Sequence, residues 1–365
     1  MTTSKNQIDP AFWRGRRVFL TGHTGFKGSW LSLWLKAMGA ETAGYSLSPP
    51  TSPSHFQEAR VGEGMVSIEA DVRDAVRLAT EIKAFQPEIV IHMAAQPLVR
   101  DSYRIPVDTF STNVMGTVHL LEAVRTTPGI RAVVNVTTDK VYENREWVWG
   151  YRENDRLGGH DPYSNSKACS EMVTEAYRLS FFPKEQYGAH GVAVASARAG
   201  NVFGGGDWAN DRLVPDCMRA LLGGQEIVIR RPAAVRPWQH VLEPLRGYLL
   251  LAQRLFEEGP VFAEAWNFGP GEDGARTVAW IADRLTTRFP GARGVRIDGG
   301  ASPHETTFLH LDCSKVKARL GWEPLVTLEQ GLEMTAEWFE RRQKGEDVRE
   351  ITLEQVANFA RRLGV

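Results

Sequence analysis

The stretch Val18-Phe19-Leu20-Thr21-Gly22-His23-Thr24-Gly25-Phe26-Lys27-Gly28 carries the reading of the fold. A short apolar run, composed as a strand, breaks into a glycine turn of G-x-x-G-x-x-G spacing. A helix follows, with Leu31, Trp34, Leu35 and Met38 at the i, i+3, i+4, i+7 positions of one buried face. Gly39 ends it. Glycines between a strand and a helix let the backbone approach a pyrophosphate, which the helix N-terminus stabilises. Gly22, Thr24, Gly25, Phe26 and Gly28 are therefore candidate cofactor-binding residues.

Outward from that turn, strands and helices alternate. A strand at Thr42–Ser46 leads through a Pro/Ser-rich loop, as far as Ser54, to a second at Met65–Glu69 and then Asp71. A helix at Ala75–Phe85, an apolar strand at Glu88–Ala95 and a longer helix at Val107–Arg125 follow. The pattern predicts an α/β fold with a doubly wound, Rossmann-type parallel sheet. Pro162–Ser180 reads as a further helix and Gly191–Ala199 as a buried strand. After Gly204 shorter elements alternate with glycine and proline as far as a helix at Leu328–Gln343. This predicts a smaller, discontinuous C-terminal substrate domain. The expected boundaries are 1–203 with 238–262 for the dinucleotide-binding domain, and 204–237 with 263–365 for the substrate-binding one. The tail Glu350–Leu363 is amphipathic and reads as a docking or oligomer helix.

The chain has 365 residues, 42% apolar and 24% charged, as in ordinary globular proteins. Lys and Arg total 43 against 44 Asp and Glu, a formal net charge of −1. That balance gives no electrostatic case for nucleic acid or an anionic membrane as partner, so any bound anion needs a local site. Cys169, Cys217 and Cys313 lie far apart with no CxxC or Cys/His spacing, which argues against a disulfide framework and a metal site. The N-terminal stretch lacks the apolar region of a signal peptide, and no apolar run is long enough to span a membrane. A cytoplasmic location is the expectation.

Chemistry concentrates in Ala132–Asn144, AVVNVTTDKVYEN. Its β-branched run has the composition of a strand buried on both faces. It then changes abruptly to Thr137, Thr138, Asp139 and Lys140. Open α/β sheets bind ligands at the C-terminal ends of their strands, although a strand that merely surfaces also ends in polar residues. Downstream, Tyr163 and Lys167 stand at i and i+4 on one helix face. A nearby lysine favours the phenolate and lowers a tyrosine's pKa, which suits proton removal from an alcohol that is losing hydride. Asp71 reads either as a partner for an adenine amino group or as a helix N-cap. No acid follows the second strand, where Tyr45-Ser46-Leu47-Ser48 offers only hydroxyls for a ribose. NAD and NADP both stay open on that ground.

Taken together, these residues resemble the extended short-chain dehydrogenase/reductase family, with its GxxGxxG turn, its Ser or Thr after a central strand and its YxxxK. Longer segments resemble the CDP-glucose branch of the nucleotide-sugar 4,6-dehydratases. They are FWRGRRVFLTGHTGFKGSWLSLWLKAMGA, TTDKVYENREW, DPYSNSKACSE, GNVFGGGDWANDRLVPD, RPWQHVLEPL and HLDCSKVKARLGWEP. The resemblance implies a lyase acting on CDP-glucose in deoxysugar biosynthesis, such as that of lipopolysaccharide O-antigen. NAD would be its cofactor, and a homodimer or homotetramer its assembly.

The same resemblance assigns C4 oxidation to Thr138, Tyr163 and Lys167, and elimination to Asp139 as acid and Lys140 as base. In the related dTDP-glucose enzymes the second position of that pair is a Glu. A lysine acts as base only when neutral, which burial or nearby positive charge favours, and Lys167 is a source of such charge. Lys140 also reads simply as a surface charge at a strand end. Val72, Ala94, Ala95, Gln96, Asn113 and Thr137 would join the glycine turn and Asp71 around the cofactor. Thr138, Asn201, Arg212, Arg236 and His304 would meet the nucleotide-sugar, while Trp238 stacks or belongs to the core. A 4-epimerase shares Thr, Tyr and Lys but needs no acid/base pair to expel the 6-hydroxyl. A non-catalytic nucleotide-binding module would need none of these residues.

Overall fold

In the computed structural model, which describes residues 7–298 and 308–362, the run ahead of the glycine turn is strand β1 (Arg17–Thr21). Every side chain from Val18 to Thr21 is buried. A strand covered on both faces belongs inside a parallel sheet. Accordingly β1 pairs in parallel with β2 (Glu41–Ser46) on one side, and β2 with β3 (Val66–Glu69). On its other side lie β4 (Ile89–His92), β5 (Ala132–Val136) and β6 (Ala193–Ala199), all parallel. The strand order runs outward from β1 through β2 and β3 and then restarts on the other side at β4, so the boundary between β1 and β4 is a topological switch point. It opens a crevice at the C-terminal strand ends, where the glycine turn and the Thr137–Lys140 segment both lie.

Alternate side chains feed two cores. Val18, Leu20, Ile89, Ile91 and Val134 face one layer, and Phe19, Val90, Val133 and Val194 face the other. The first layer includes α1 (Phe26–Ala37), and the second includes α2 (Ala75–Phe85) and α3 (Gly116–Arg125). Asp74, not Asp71, caps α2 by accepting from the Arg77 amide. The helices at Ala75–Phe85, Pro162–Ser180 and Leu328–Gln343 form at their expected bounds.

Two elements depart from the sequence pattern. The strand expected to reach Ala95 stops at His92, because Met93 and Ala94 turn to donate their amides to Thr21. The long helix expected at Val107–Arg125 begins at Pro106 and loosens into a π turn at Ser111–Met115 before α3. That turn presents Asn113 to the loop after β4.

α4 (Pro162–Ser180) crosses behind β5 and β6. Beyond it, β7 (Asn201–Phe203) and β9 (Val235–His240) pair in parallel, and β8 (Ile227–Ile229) pairs with Val295–Ile297. These small sheets close over the crevice. Ala265–Phe268, expected in the smaller domain, instead forms the edge strand of the large sheet beside β6. The tail helix Val348–Arg361 buries Ile351, Val356 and Phe359, and the Phe359 ring meets Trp34 at 5.9 Å. The tail therefore docks on its own chain. Leu363 lies outside the described residues.

Candidate active site

At the end of β5 the chain bends into a short 3₁₀ turn, Asp139–Val141, capped by Thr138. The Thr138 hydroxyl donates to Asp139 Oδ1 at 3.0 Å, and Asp139 is buried. Burial pushes its carboxyl pKa up, against the pull of Lys140, Thr138 and Arg236. A Cβ on Gly200 would stand 2.9 Å from Asp139 Oδ2, so that glycine keeps the space over the carboxylate open.

Asp161 caps α4, which carries Tyr163 and Lys167 to the same place. Tyr163 is buried and hydrogen-bonded to Thr138. Its pKa is pushed up to about 12 because burial outweighs the Thr138 hydrogen bond. The expected lowering by Lys167 does not prevail. Lys167 donates to the Val136 carbonyl at 3.0 Å. Burial lowers its pKa to about 8 although Glu171 pulls the other way.

Thr138, Asp139, Lys140 and Tyr163 line a cavity of about 300 Å³ with Asn201, Arg212 and Arg236. Lys140 is half-buried there. Arg212 pairs with buried Asp207 at 3.0 Å. Arg230 and Arg231 also reach the wall, and Arg230 pairs with Asp211 at 2.7 Å. Trp238 donates its indole N–H to the Arg276 carbonyl, which fixes it as cavity wall. His304 lies outside the described residues.

The turn fits a dinucleotide. Gly22 has φ +78°, and a Cβ there would meet the Ala94 amide at 2.8 Å; at Gly28 it would meet the Gly22 carbonyl at 2.1 Å. Only glycine permits this approach of helix to strand. Gly25 caps α1 without a side-chain hydrogen bond, and the first turn holds no acid, which suits an anion at the helix N-terminus. Thr24 bonds Ser46 and the Leu47 carbonyl, both at 2.8 Å, and so ties the turn to β2.

Asn113 clamps the other wall. It accepts from the Gln96 amide at 2.9 Å and donates to the Gln96 carbonyl and to Ser166. Ala94 and Ala95 lie in that same loop after β4. Val72 packs against the bare face of Gly116. Asp71 is held by Arg73 at 2.6 Å, which leaves its carboxylate already engaged.

Sequence reasoning passed over three groups. Lys27 lines the cavity, with its pKa lowered to about 7 by burial, Lys167 and Arg212. His92 shares a 2.6 Å hydrogen bond with Thr21. Glu171 receives the Thr137 hydroxyl at 2.5 Å and pairs with Arg198. Only Glu171 had a legible signal, its i+4 spacing from Lys167.

The family model described as GDP-mannose 4,6 dehydratase matches residues 19–335. A CDP-glucose 4,6-dehydratase from Salmonella typhimurium is 54% identical over 352 residues, covering 96% of this chain and 98% of that one. Among solved structures, the dTDP-glucose 4,6-dehydratase of Streptomyces venezuelae, with NAD and TYD bound, superposes with a TM-score of 0.77 at 26% identity. The match covers 90% of this chain and 98% of that one. The UDP-glucose 4-epimerase of Thermus thermophilus in complex with NAD gives 0.76 at 26% identity, covering 89% and 99%. Because that family model spans residues 19–335, most of its length, the chain belongs to the GDP-mannose 4,6-dehydratase family.

Proposed function

We propose that this chain is an NAD-dependent lyase that converts CDP-glucose to CDP-4-keto-6-deoxy-glucose and water. One observation carries the reading. An acid/base pair, Asp139 and Lys140, shares a cavity wall with Thr138 and Tyr163. Oxidation at C4 alone needs no such pair. The 54% identity to a CDP-glucose 4,6-dehydratase supports cytosine as the base.

The glycine turn, Thr24, Asn113, the Ala94–Gln96 loop and Lys167 would hold NAD. Bound there, NAD supplies a hydride acceptor for C4 and the same hydride for C6. Tyr163 takes the 4-hydroxyl proton while Thr138 holds that oxygen, and charged Lys167 favours the phenolate. The resulting ketone acidifies the C5 proton, which Lys140 removes. Asp139 keeps a proton for the departing 6-hydroxyl because burial raises its pKa. Arg212 and Arg236 are suited to the diphosphate, with Asn201 beside them. A proton NMR time course with CDP-glucose tests the reading. A new C6 methyl signal is expected, whereas a changed C4 configuration without it would mean epimerisation. Turnover compared across CDP-, dTDP-, UDP- and GDP-glucose tests the base.

We also propose a homodimer or homotetramer. Tyr103, Ile105, Val107 and Met115 on one stretch and Met172, Leu179 and Phe181 on or just beyond α4 are exposed apolar side chains. Light scattering on the eluting protein reads the assembly directly. Among the described residues no helix is long and apolar enough to cross a membrane, and the three cysteines are free. The free cysteines fit a reducing cytoplasm.

A further inference from the structure

Glu171 sits one helical turn beyond Lys167 and is buried, as is its partner Arg198 on β6. Its carboxylate is fully engaged. Oε1 accepts from the Thr137 hydroxyl at 2.5 Å and from Arg198 Nε at 2.9 Å. Oε2 accepts from Ser196 at 2.6 Å and from Arg198 Nη2 at 2.9 Å. Arg198 continues to the Tyr142 hydroxyl at 2.8 Å, just beyond the Asp139–Val141 turn. One carboxylate thus joins β6 and α4 to the residue immediately before Thr138.

We propose that Glu171 is a positioning residue of the hydride-transfer site, which fixes the end of β5 through Thr137 and holds Lys167 in its charged form. A packing ion pair alone needs only Arg198. Glu171 also takes up the hydroxyl that precedes Thr138, and it lies on the face of α4 that carries Lys167. Its negative charge opposes the effect of burial on that amine. Among the described residues, Lys167 interacts electrostatically with Glu171 on its own helix α4, Lys27 on α1 and His92 on β4, while Arg198 on β6 sets its opposite charge against Glu171 at 2.9 Å. Lys27 disfavours the charged amine, and burial keeps His92 neutral. Glu171 is therefore the carboxylate that sustains it, and through it the Tyr163 phenolate.

This rests on Tyr163 and Lys167 being the hydride-transfer pair, so the first readout needs no turnover. The ionisation of Lys167 is followed by NMR of ¹³Cε-labelled lysine in the full-length protein, assigned against Lys167→Met. In Glu171→Gln the midpoint falls below the native value of about 8, by on the order of one pH unit. Because that change leaves Arg198 unpaired, Glu171→Gln/Arg198→Met is measured as well, and the midpoint falls there by less, since the opposing charge of Arg198 is lost with the carboxylate. With CDP-glucose, the acid limb of kcat/KM moves to higher pH in both. Thr137→Val lowers kcat with little change in KM and leaves the Lys167 midpoint in place. An unmoved midpoint in the double variant overturns the electrostatic role, and unchanged kcat in Thr137→Val overturns the anchoring role. A shifted midpoint in a protein that yields no methyl product would uphold Glu171 and fault the assigned reaction.

Discussion

The Thr138 hydroxyl donates to Oδ1 of Asp139, while Oδ2 of the same buried carboxyl has no hydrogen-bond partner among the described residues. A buried carboxylate oxygen without a partner favours the protonated acid. It also stands in the space that Gly200 leaves open. The arrangement suits a group that keeps a proton for a leaving hydroxyl.

Asp139→Asn keeps the shape and the Thr138 contact but removes the transferable proton. C4 oxidation survives, while methyl product formation falls by about 10²–10⁴-fold. Absorbance of reduced cofactor should accumulate where the native enzyme shows only a transient. The variant should also melt at a higher temperature, because a buried ionisable group has been replaced by a neutral one.

Tyr163→Phe acts a step earlier. Burial holds this phenol at about 12 in the folded chain, so the active phenolate becomes more abundant as pH rises. The native rate of C4 oxidation therefore climbs with pH along its acid limb. In Tyr163→Phe the limb vanishes and the rate falls by about 10²–10⁴-fold. Binding of the nucleotide-sugar, measured calorimetrically, changes little.

Local pattern made much of this legible. The strand–turn–helix at Val18–Met38 follows from adjacent residues, as do α2, though its cap is Asp74 and not Asp71, and α4, with Tyr163 and Lys167 on one face. What escaped depends on partners distant in the chain. The π turn at Ser111–Met115 carries Asn113 to both Gln96 and Ser166, and no periodicity encodes that. Glu171 meets Arg198, and Ala265–Phe268 finds β6, through tertiary packing alone. The pKa of Tyr163 escaped for a related reason, since burial at the sheet edge outweighs a neighbour one turn away.

Buried histidines set the response to acid. His55, His92 and His240 have pKa values lowered to about 3 by burial, and His23 to about 4. In the unfolded chain they take up protons near pH 6.5. Their contribution to stability is complete above that value and is lost as pH falls toward 3. Each contributes a slope of about 1.4 kcal/mol per pH unit in that window. Urea unfolding followed from pH 7 to pH 4 should show it. His240→Phe, whose ring would keep the contacts with Trp30 and Phe203, should reduce the slope by one histidine's share.

Gly28→Ala tests the cradle. The added methyl would lie 2.1 Å from the Gly22 carbonyl, so α1 must move off β1 or the turn must open. Overpacking of this kind costs about 1–3 kcal/mol. The melting temperature should drop, and NAD affinity, read by quenching of tryptophan fluorescence, should fall more steeply than affinity for CDP-glucose. An equal loss of both would place the damage in the fold and not in the dinucleotide turn.

Lys140 gives the sharpest test of the elimination step. It follows Asp139 directly and lines both the main cavity and a neighbouring one that contains His160 and Asp161. Lys140 thus stands on the cavity wall directly after the buried carboxyl of Asp139. Lys140→Met keeps an unbranched side chain only one atom shorter and removes the base. In deuterated solvent the native enzyme should incorporate deuterium at C5 of the product. The variant should still oxidise C4 yet show no deuterium at C5, and its methyl product should fall by about 10²–10⁴-fold. Deuterium entering C5 at the native rate would assign proton abstraction to another residue and leave Lys140 with a binding role.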